Sequence, residues 1–251
     1  MEKDIRVLII PDVHGRAFWK EPVKQVLEET DKRIIFLGDY LDPYKHDFEG
    51  VSDFRERAIG NFNEIIKLKK ENPDRITLLI GNHDCGYMFD LDICDTRTDY
   101  ANYERISEIF HKNRELFKLA DEERIGDKHF IFSHAGIVKE YAEFVFGDEV
   151  NEDNVVELFN KGYEGCVGEI IRSLRIYDGF RGYGGAPSGS LVWSDARSWY
   201  KNKGYGYGYN VFGHTQLETN DGLIEDEFAD LDCREAFYIN ELGEIKKFNE
   251  K

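Results

Sequence analysis

Cysteine is scarce in this sequence, and its spacing shows no pairing. The 251 residues contain four cysteines, at positions 85, 94, 166 and 233, without a CxxC pair or a regular interval. A disulfide framework or a thiolate zinc site needs such a pattern. The spacing argues against both kinds of site, and we expect a cytoplasmic protein with reduced cysteines.

Long apolar runs are also lacking. No run approaches the roughly 18 apolar residues that a membrane span requires. Residues 1–11 place charged side chains around a short apolar run, which is typical of a first strand and not of a signal peptide. We therefore expect no membrane association.

Positive charge is outnumbered by negative charge. Lys and Arg number 33, whereas Asp and Glu number 50, and the formal net charge is −17. Diffuse attraction to nucleic acids or anionic membranes depends on an excess of positive charge. The composition predicts no nucleic-acid partner of that kind, it leaves room for a local basic pocket, and it does not specify an oligomeric state.

The remaining composition is typical of a soluble globular protein. Hydrophobic residues make up 41% of the chain and aromatic residues 14%. The chain is long enough to bury its own core, and it shows no internal repeat or interdomain linker. We expect a single domain over residues 1–251, with helical or loop insertions at about 85–125 and 137–190.

An apolar strand that runs into a short polar cluster occurs five times. The clearest example is residues 34–37, where four apolar residues predict a strand buried on both faces. A carboxylate at the carboxyl end of such a strand lies where open α/β sheets bind their ligands. The five clusters are Pro11-Asp12-Val13-His14-Gly15, Gly38-Asp39-Tyr40-Leu41-Asp42, Gly81-Asn82-His83-Asp84, Ser133-His134-Ala135-Gly136 and Gly213-His214-Thr215.

The first two clusters are predicted to meet in space. Asp12 and His14 are two residues apart, so in an extended segment both side chains can face one ion. A right-handed βαβ crossover through a predicted helix would bring Asp12 and Asp39 to the same sheet edge. Carboxylate and imidazole suit manganese, iron, zinc or magnesium better than a soft metal. One such cluster alone is compatible with an ordinary turn, whereas the recurrence favours a metal site.

In order and in composition, the five clusters resemble the motifs of calcineurin-like metallophosphoesterases. The second and fourth clusters, together with Leu191-Val192-Trp193-Ser194-Asp195 and Phe212-Gly213-His214-Thr215, resemble more narrowly the phosphoprotein phosphatase branch, especially its bacterial and phage members. The resemblance extends from residue 12 to residue 215. It implies an α/β fold in which a four-layer β-sandwich is flanked by helices.

The resemblance also implies two divalent metal ions. Ions about 4 Å apart would lower the pKa of a bridging water, and the resulting hydroxide would attack the phosphoryl group. Manganese is the metal that we expect, with iron or zinc as alternatives. The implied ligands are Asp12, His14 and Asp39 for one ion, and Asp39, Asn82, His134 and His214 for the other.

Two further residues have implied catalytic roles. His83 would be the general acid on the leaving oxygen, and Asp42 would orient its imidazole and stabilise its charge. The sequence departs from the family after Asp42, where Pro43 and Tyr44 replace the usual Arg-Gly and remove a phosphate-binding arginine. Charge on the phosphoryl oxygens still favours a bidentate guanidinium. The candidates for it are Arg197 first and Arg181 second.

We therefore expect a dinuclear-metal phosphatase that hydrolyses phosphomonoesters, with a phosphoprotein or a nucleotide as its phosphorylated substrate. Bacterial relatives with the same His-Ala-Gly and Gly-His-Thr signatures cleave symmetric dinucleoside tetraphosphates, and that activity is the alternative. A non-catalytic, metal-stabilised binding protein is a third hypothesis. An intact acid and its orienting carboxylate, His83 and Asp42, argue against the third.

Overall fold

The computed structural model describes residues 4–89, 97–175, 189–197 and 204–249. These ranges contain two β-sheets and seven α-helices, which confirms the predicted mixed α/β class. The strands are β1 (Ile5–Ile10), β2 (Arg33–Phe36), β3 (Ile76–Leu79), β4 (Phe117–Lys118), β5 (Ala120–Ile125), β6 (Lys128–Ser133), β7 (Tyr209–Phe212), β8 (Leu223–Ile224), β9 (Phe228–Asp230), β10 (Phe237–Asn240) and β11 (Ile245–Lys247). The helices are α1 (Lys20–Glu29), α2 (Phe54–Glu71), α3 (Asn82–Phe89), α4 (Tyr103–Lys112), α5 (Lys139–Phe146), α6 (Val155–Glu164) and α7 (Gly168–Ser173).

The first sheet has the strand order β11-β10-β1-β2-β3-β4. Strands β1 to β4 are parallel, with α1 and α2 in the connections between β1, β2 and β3, as the predicted βαβ units require. Strand β10 pairs antiparallel with β1 and forms a hairpin with β11.

The second sheet has the order β5-β6-β7-β9-β8. Strands β6, β7 and β9 are parallel, whereas β5 and β8 pair antiparallel at the two edges. Parallel strands end at the same edge of a sheet, so the polar segments after β6 and β7 lie side by side.

Side chains that alternate between the two faces of each strand divide the core into layers. Val7 and Ile9 of β1 pack in a cluster that also contains Phe132 and Val211 of the second sheet, so this cluster lies between the sheets. Leu8 and its same-face neighbours pack in a separate cluster with residues of α1 and α2. Alternate side chains of a strand point to opposite faces, and the result is a sandwich with helices outside.

The segment predicted as an insertion at about 85–125 contains more sheet than the sequence indicated. Helices α3 and α4 occupy its first part, and residues 117–125 contain β4 and β5, which pair in the two sheets. The described part of 137–190 contains α5, α6 and α7. None of the described helices combines the length and apolar character needed to cross a membrane.

Candidate functional site

The carboxyl ends of the parallel strands bring the five polar clusters together. The His14 N–H donates to the Asp39 carbonyl (2.7 Å), and the Gly213 N–H donates to the His134 carbonyl (2.9 Å). The His83 N–H donates to Asp39 Oδ1 (3.0 Å). The first and third bonds join loops of the first sheet, and the second joins loops of the second sheet. The His214 N–H donates to Asp12 Oδ1 (3.0 Å) and links the two sets of loops, so residues far apart in the sequence form one polar site.

Asp39 lies at the centre of this site. Its Oδ2 is 3.5 Å from His14 Nε2, its Oδ1 is 3.6 Å from His134 Nε2, and its residue surface is only 2% exposed. Asp39 belongs to both of the groups in the described chain whose possible ligand atoms lie within 4.8 Å of one another. These groups are His14, Asp39 and His83, and Asp12, Asp39 and His134.

Two of the histidines have their ring orientation fixed by backbone carbonyls. His14 Nδ1–H donates to the Leu41 carbonyl and His134 Nδ1–H to the Leu37 carbonyl, both at 2.8 Å. Burial, reinforced by the positive charges of His83 and other neighbours, holds the pKa of His14 well below its usual range. Neutral His14 therefore directs an Nε2 lone pair at the carboxylates, as a metal-ligating histidine does.

Asn82 completes a set of converging acceptors. Its Oδ1 lies 2.9 Å from His134 Nε2 and 2.9 Å from His214 Nδ1. His134 gives its Nδ1–H to a carbonyl, so in the tautomer that ligates a metal its Nε2 lone pair faces an oxygen that is itself an acceptor. A cation between these atoms would relieve the repulsion, so the donor set fits a divalent ion with nitrogen and oxygen ligands.

The buried carboxylates of the site are not solvated by water. Burial raises the pKa of Asp12 to about 6, although its Oδ1 accepts from the His214 N–H (3.0 Å). Asp12 Oδ2 is 3.9 Å from His14 Nε2, within the grouping that the sequence predicted. A bound dication would offset this cost of burying negative charge.

His83 and Asp42 form a hydrogen-bonded pair beside Asp39. His83 Nδ1–H donates to Asp42 Oδ2 (2.8 Å), and the Tyr87 hydroxyl donates to Asp42 Oδ1 (2.6 Å). The Asp42 side chain is fully buried, whereas the His83 side chain is 11% exposed. His83 Nε2 accepts from Arg97 Nη2 (2.7 Å), so both ring nitrogens have non-metal partners. The carboxylate on Nδ1 is the arrangement that a general acid with an orienting partner requires.

Backbone strain is concentrated among these residues. His14, Asp39, Asp42 and His214 have φ angles of 43°, 52°, 56° and 68°. Left-handed backbone in residues with a Cβ is unfavourable and persists where the surrounding structure enforces it. Strained backbone at four polar residues of one site is typical of an active or binding site.

Two glycines allow the carboxylates to lie against the backbone. A Cβ on Gly81 would be 2.1 Å from Asp39 Oδ1, and a Cβ on Gly213 would be 2.0 Å from Asp12 Oδ1. Any side chain at either position would displace a carboxylate. The glycines that begin the third and fifth clusters are therefore part of the site and not simply turn residues.

The predicted arginines are less closely placed. Arg197 donates from Nε and Nη2 to the two oxygens of Asp195 (2.9 and 2.6 Å), and its side chain is 66% exposed. This pairing occupies one of the two edges of the guanidinium. Arg181 lies outside the described residues.

Sequence reasoning missed three residues that contact the predicted site. The Asp84 carboxylate accepts the N–H groups of Asp39 (2.7 Å), Tyr40 (3.1 Å) and Gly81 (2.9 Å), and so joins two of the loops. Tyr87 could have been found because it lies one helical turn after His83 in the same segment. Arg97 had no detectable signal, since it follows none of the five strands.

A comparison with protein-family models identifies the family of this chain. Residues 5–218 match the family model described as calcineurin-like phosphoesterase. Because the match covers most of the chain, the protein belongs to the calcineurin-like phosphoesterase family. This result confirms the family resemblance and the fold that it implied.

Individual relatives are distant. A probable serine/threonine-protein phosphatase of Encephalitozoon cuniculi (strain GB-M1) is 23% identical over 144 residues, which are 54% of this chain and 27% of that protein. The match thus spans about a quarter of the curated relative.

Solved structures share the fold at low identity. A cold-active protein-tyrosine phosphatase of a Shewanella species superposes with a TM-score of 0.57 at 14% identity, covering 98% of this chain and 80% of that one. A Saccharomyces cerevisiae protein serine/threonine phosphatase gives 0.54 at 12% identity, covering 100% and 81%. A putative diadenosine tetraphosphatase gives 0.50 at 15% identity, covering 98% and 96%. Family membership therefore implies a hydrolase of phosphorylated compounds, and the likenesses between structures show the fold.

Proposed function

We propose that this protein is a metal-dependent phosphatase that hydrolyses phosphomonoesters of alcohols, such as phosphorylated side chains of proteins. The ligands that we propose are Asp12, His14 and Asp39 for one divalent ion, and Asp39, Asn82, His134 and His214 for a second. Such ions would supply Lewis-acid activation and charge neutralisation for phosphoryl transfer. Manganese is our first candidate because nitrogen and oxygen ligands accept it, with iron or zinc as alternatives.

The observation that carries this proposal is the hydrogen-bonded series Tyr87–Asp42–His83 beside Asp39. Asp42 accepts the His83 Nδ1–H, so Nε2 is the atom that can face a leaving oxygen. When His83 is protonated, the Asp42 carboxylate stabilises the imidazolium, and the Tyr87 hydroxyl prevents the carboxylate from rotating away.

An acid of this kind discriminates between leaving groups. An alkoxide leaves poorly unless it is protonated in the transition state, whereas a nucleoside polyphosphate is already a good leaving group. A positioned His83–Asp42 pair therefore supports ester hydrolysis more than cleavage of a dinucleoside tetraphosphate anhydride.

A substrate panel tests the proposal. The chain, loaded with manganese, would be assayed with phosphoserine, phosphothreonine and phosphotyrosine peptides, with nitrophenyl phosphate and with diadenosine tetraphosphate. We expect higher kcat/KM for at least one phosphopeptide than for the dinucleotide. A preference for the dinucleotide would favour the hydrolase alternative, and metal binding without any turnover would favour the binding-protein alternative.

A further inference from the structure

A guanidinium lies next to the acid in a place that the sequence motifs did not indicate. Arg97 Nη2 is 2.7 Å from His83 Nε2, and Arg97 Cζ is 3.5 Å from the centroid of the Tyr44 ring. We propose that Arg97 binds the phosphoryl group of the substrate, in place of the arginine that Pro43 removes. This inference rests on the proposed phosphatase function.

The platform for Arg97 comes from the same departure that removes the expected arginine. Tyr44 occupies the position after Pro43, and its ring also makes an edge contact with His14, with centroids 5.1 Å apart. A guanidinium stacks favourably on an aromatic face, where the ring orients it without using its N–H donors. Tyr44 thus holds the Arg97 guanidinium beside His83, where Nη2 contacts the ring nitrogen that would face the leaving oxygen.

The backbone of Arg97 is tied to the acid pair. The Tyr87 hydroxyl, which donates to Asp42, accepts the Asp99 N–H (2.8 Å). Arg55 Nη1 is 3.3 Å from Asp99 Oδ1 and donates to the Arg97 carbonyl (3.5 Å). Tyr87 therefore contacts both the Asp42 partner of His83 and the segment that carries Arg97.

The Arg97 donors lie close to the positions that phosphoryl oxygens would occupy next to His83 Nε2. A leaving oxygen must come within about 3 Å of His83 Nε2 to receive its proton. The non-bridging oxygens are bonded to the same phosphorus, and Arg97 Nη2 already lies at hydrogen-bond distance from Nε2. A small displacement of the guanidinium from Nε2 onto those oxygens would bind their charge and open Nε2 to the leaving group.

Other arginines near the site are less suitable. Arg16 is only 9% exposed, and it donates to Asp47 Oδ2 (2.7 Å) and to the Asp12 carbonyl (3.4 Å), which fixes a loop. Arg197 is paired with Asp195. Arg97 is the described arginine whose contact with His83 links phosphoryl binding directly to the acid.

Binding of inorganic phosphate to the manganese-loaded chain tests the role without turnover. We expect Arg97→Ala to weaken phosphate binding about 10- to 100-fold by calorimetry, with metal content and circular dichroism unchanged. Arg97→Lys should recover part of the affinity, because it keeps the charge but not the forked donors. Arg105→Ala, which removes an exposed arginine paired with Glu56, is the control and should bind as the wild type does.

Guanidinium rescue provides a second measurement. Millimolar guanidinium chloride should raise the turnover of Arg97→Ala and leave that of Arg105→Ala unchanged. Wild-type phosphate affinity in Arg97→Ala, a larger loss in Arg197→Ala, or no phosphate binding by the wild type would overturn the role of Arg97. Arg97-dependent phosphate binding without ester hydrolysis by the wild type would support Arg97 and overturn the phosphatase proposal instead.

Discussion

Asp39 combines a strained backbone with a shared carboxylate. Its φ of 52° costs on the order of 1 kcal/mol or more in a residue with a Cβ, and its N–H is held by Asp84 Oδ2. The strain orients the two carboxylate oxygens toward different histidines, His14 and His134.

Two adjacent residues are expected to differ in function. Asn82 and His83 begin helix α3, and their side chains diverge, Asn82 toward His134 and His83 toward Asp42. Asn82→Ala should lower metal content, whereas His83→Ala should keep it and slow turnover on the order of 100- to 10,000-fold. Elemental analysis and steady-state kinetics would measure the two effects.

Substrates with different leaving groups provide the control for assigning metal binding to Asn82 and acid catalysis to His83. The His83→Ala defect should shrink for nitrophenyl phosphate, because nitrophenolate needs little protonation. Asp42→Asn should resemble a milder His83 change, since it weakens the partner that holds the imidazolium. Equal metal loss in Asn82→Ala and His83→Ala, or a defect independent of leaving group, would contradict the assignment.

The buried Asp84 predicts an unusual pH dependence of stability. Burial, and then repulsion from Asp39, raises the pKa of Asp84 from 3.8 to about 7. The native carboxyl group holds its proton more tightly than the unfolded one, so the unfolding free energy of the metal-free protein should fall as pH rises from about 4 to 7. Denaturant titrations with a chelator would measure this slope, and Asp84→Asn should flatten it. The exposed Asp127→Asn is the control, and an unchanged slope in Asp84→Asn would refute the prediction.

Among the elements, strands with uniform apolar runs were predictable and the mixed ones were not. Residues 34–36 are fully buried in β2, as four consecutive apolar residues indicated. Strand β4 has only two residues, and β5 carries Asp121, Glu122 and Glu123, so neither shows the periodicity of a strand. Their pairing depends on tertiary contacts, such as the ion pairs of Arg33 with Asp121 and Glu123.

The site residues were likewise predictable only where local sequence places them. Residues directly after strands, such as Asp12 and His214, were found because strand ends converge whatever the rest of the fold does. Arg97 follows none of the five strands, and its contact with His83 joins side chains 14 residues apart in the sequence. Local sequence does not encode such a tertiary contact.

Close packing in the loop after β7 makes one glycine substitution informative. A Cβ at Gly213 would meet Asp12 Oδ1 at 2.0 Å, so Gly213→Ala should displace the carboxylate and reduce both metal content and kcat/KM at least about 10-fold. Gly60 lies within α2, where a Cβ would project into open space, so Gly60→Ala should leave activity unchanged and stabilise the fold by about 0.5–1 kcal/mol. Metal analysis, kinetics and denaturant unfolding would compare them, and retained metal in Gly213→Ala would contradict the packing argument.

At the scale of the molecule, loops of the two sheets bring together a cluster of buried carboxyl groups. The chain already has a net charge of −17, and Asp12, Asp39, Asp84, Asp230 and Asp232 are all buried. Burial raises the pKa values of Asp230 and Asp232 well above their usual range. Loops from both sheets meet at this cluster, so cations that bind there would stabilise the contact between the sheets.

Metal removal should therefore lower both stability and activity of the wild type. It should also reverse the order of the melting temperatures of the wild type and Asp39→Asn. Manganese at about 100 times its dissociation constant should raise the wild-type melting temperature by about 5–10 °C and restore activity lost on chelation. Asp39→Asn should gain much less from manganese, because Asp39 faces both ligand groups.

In chelator the order of melting temperatures should reverse, with Asp39→Asn melting above the wild type. The reason is that Asp39 repels Asp12 and Asp84 and raises the pKa of each. Thermal unfolding with chelator and with manganese would measure both effects, with the exposed Asp226→Asn as the control. A chelated wild type that melts above chelated Asp39→Asn, or that turns over substrate at the original rate, would show that the buried carboxylates are not organised around metal ions.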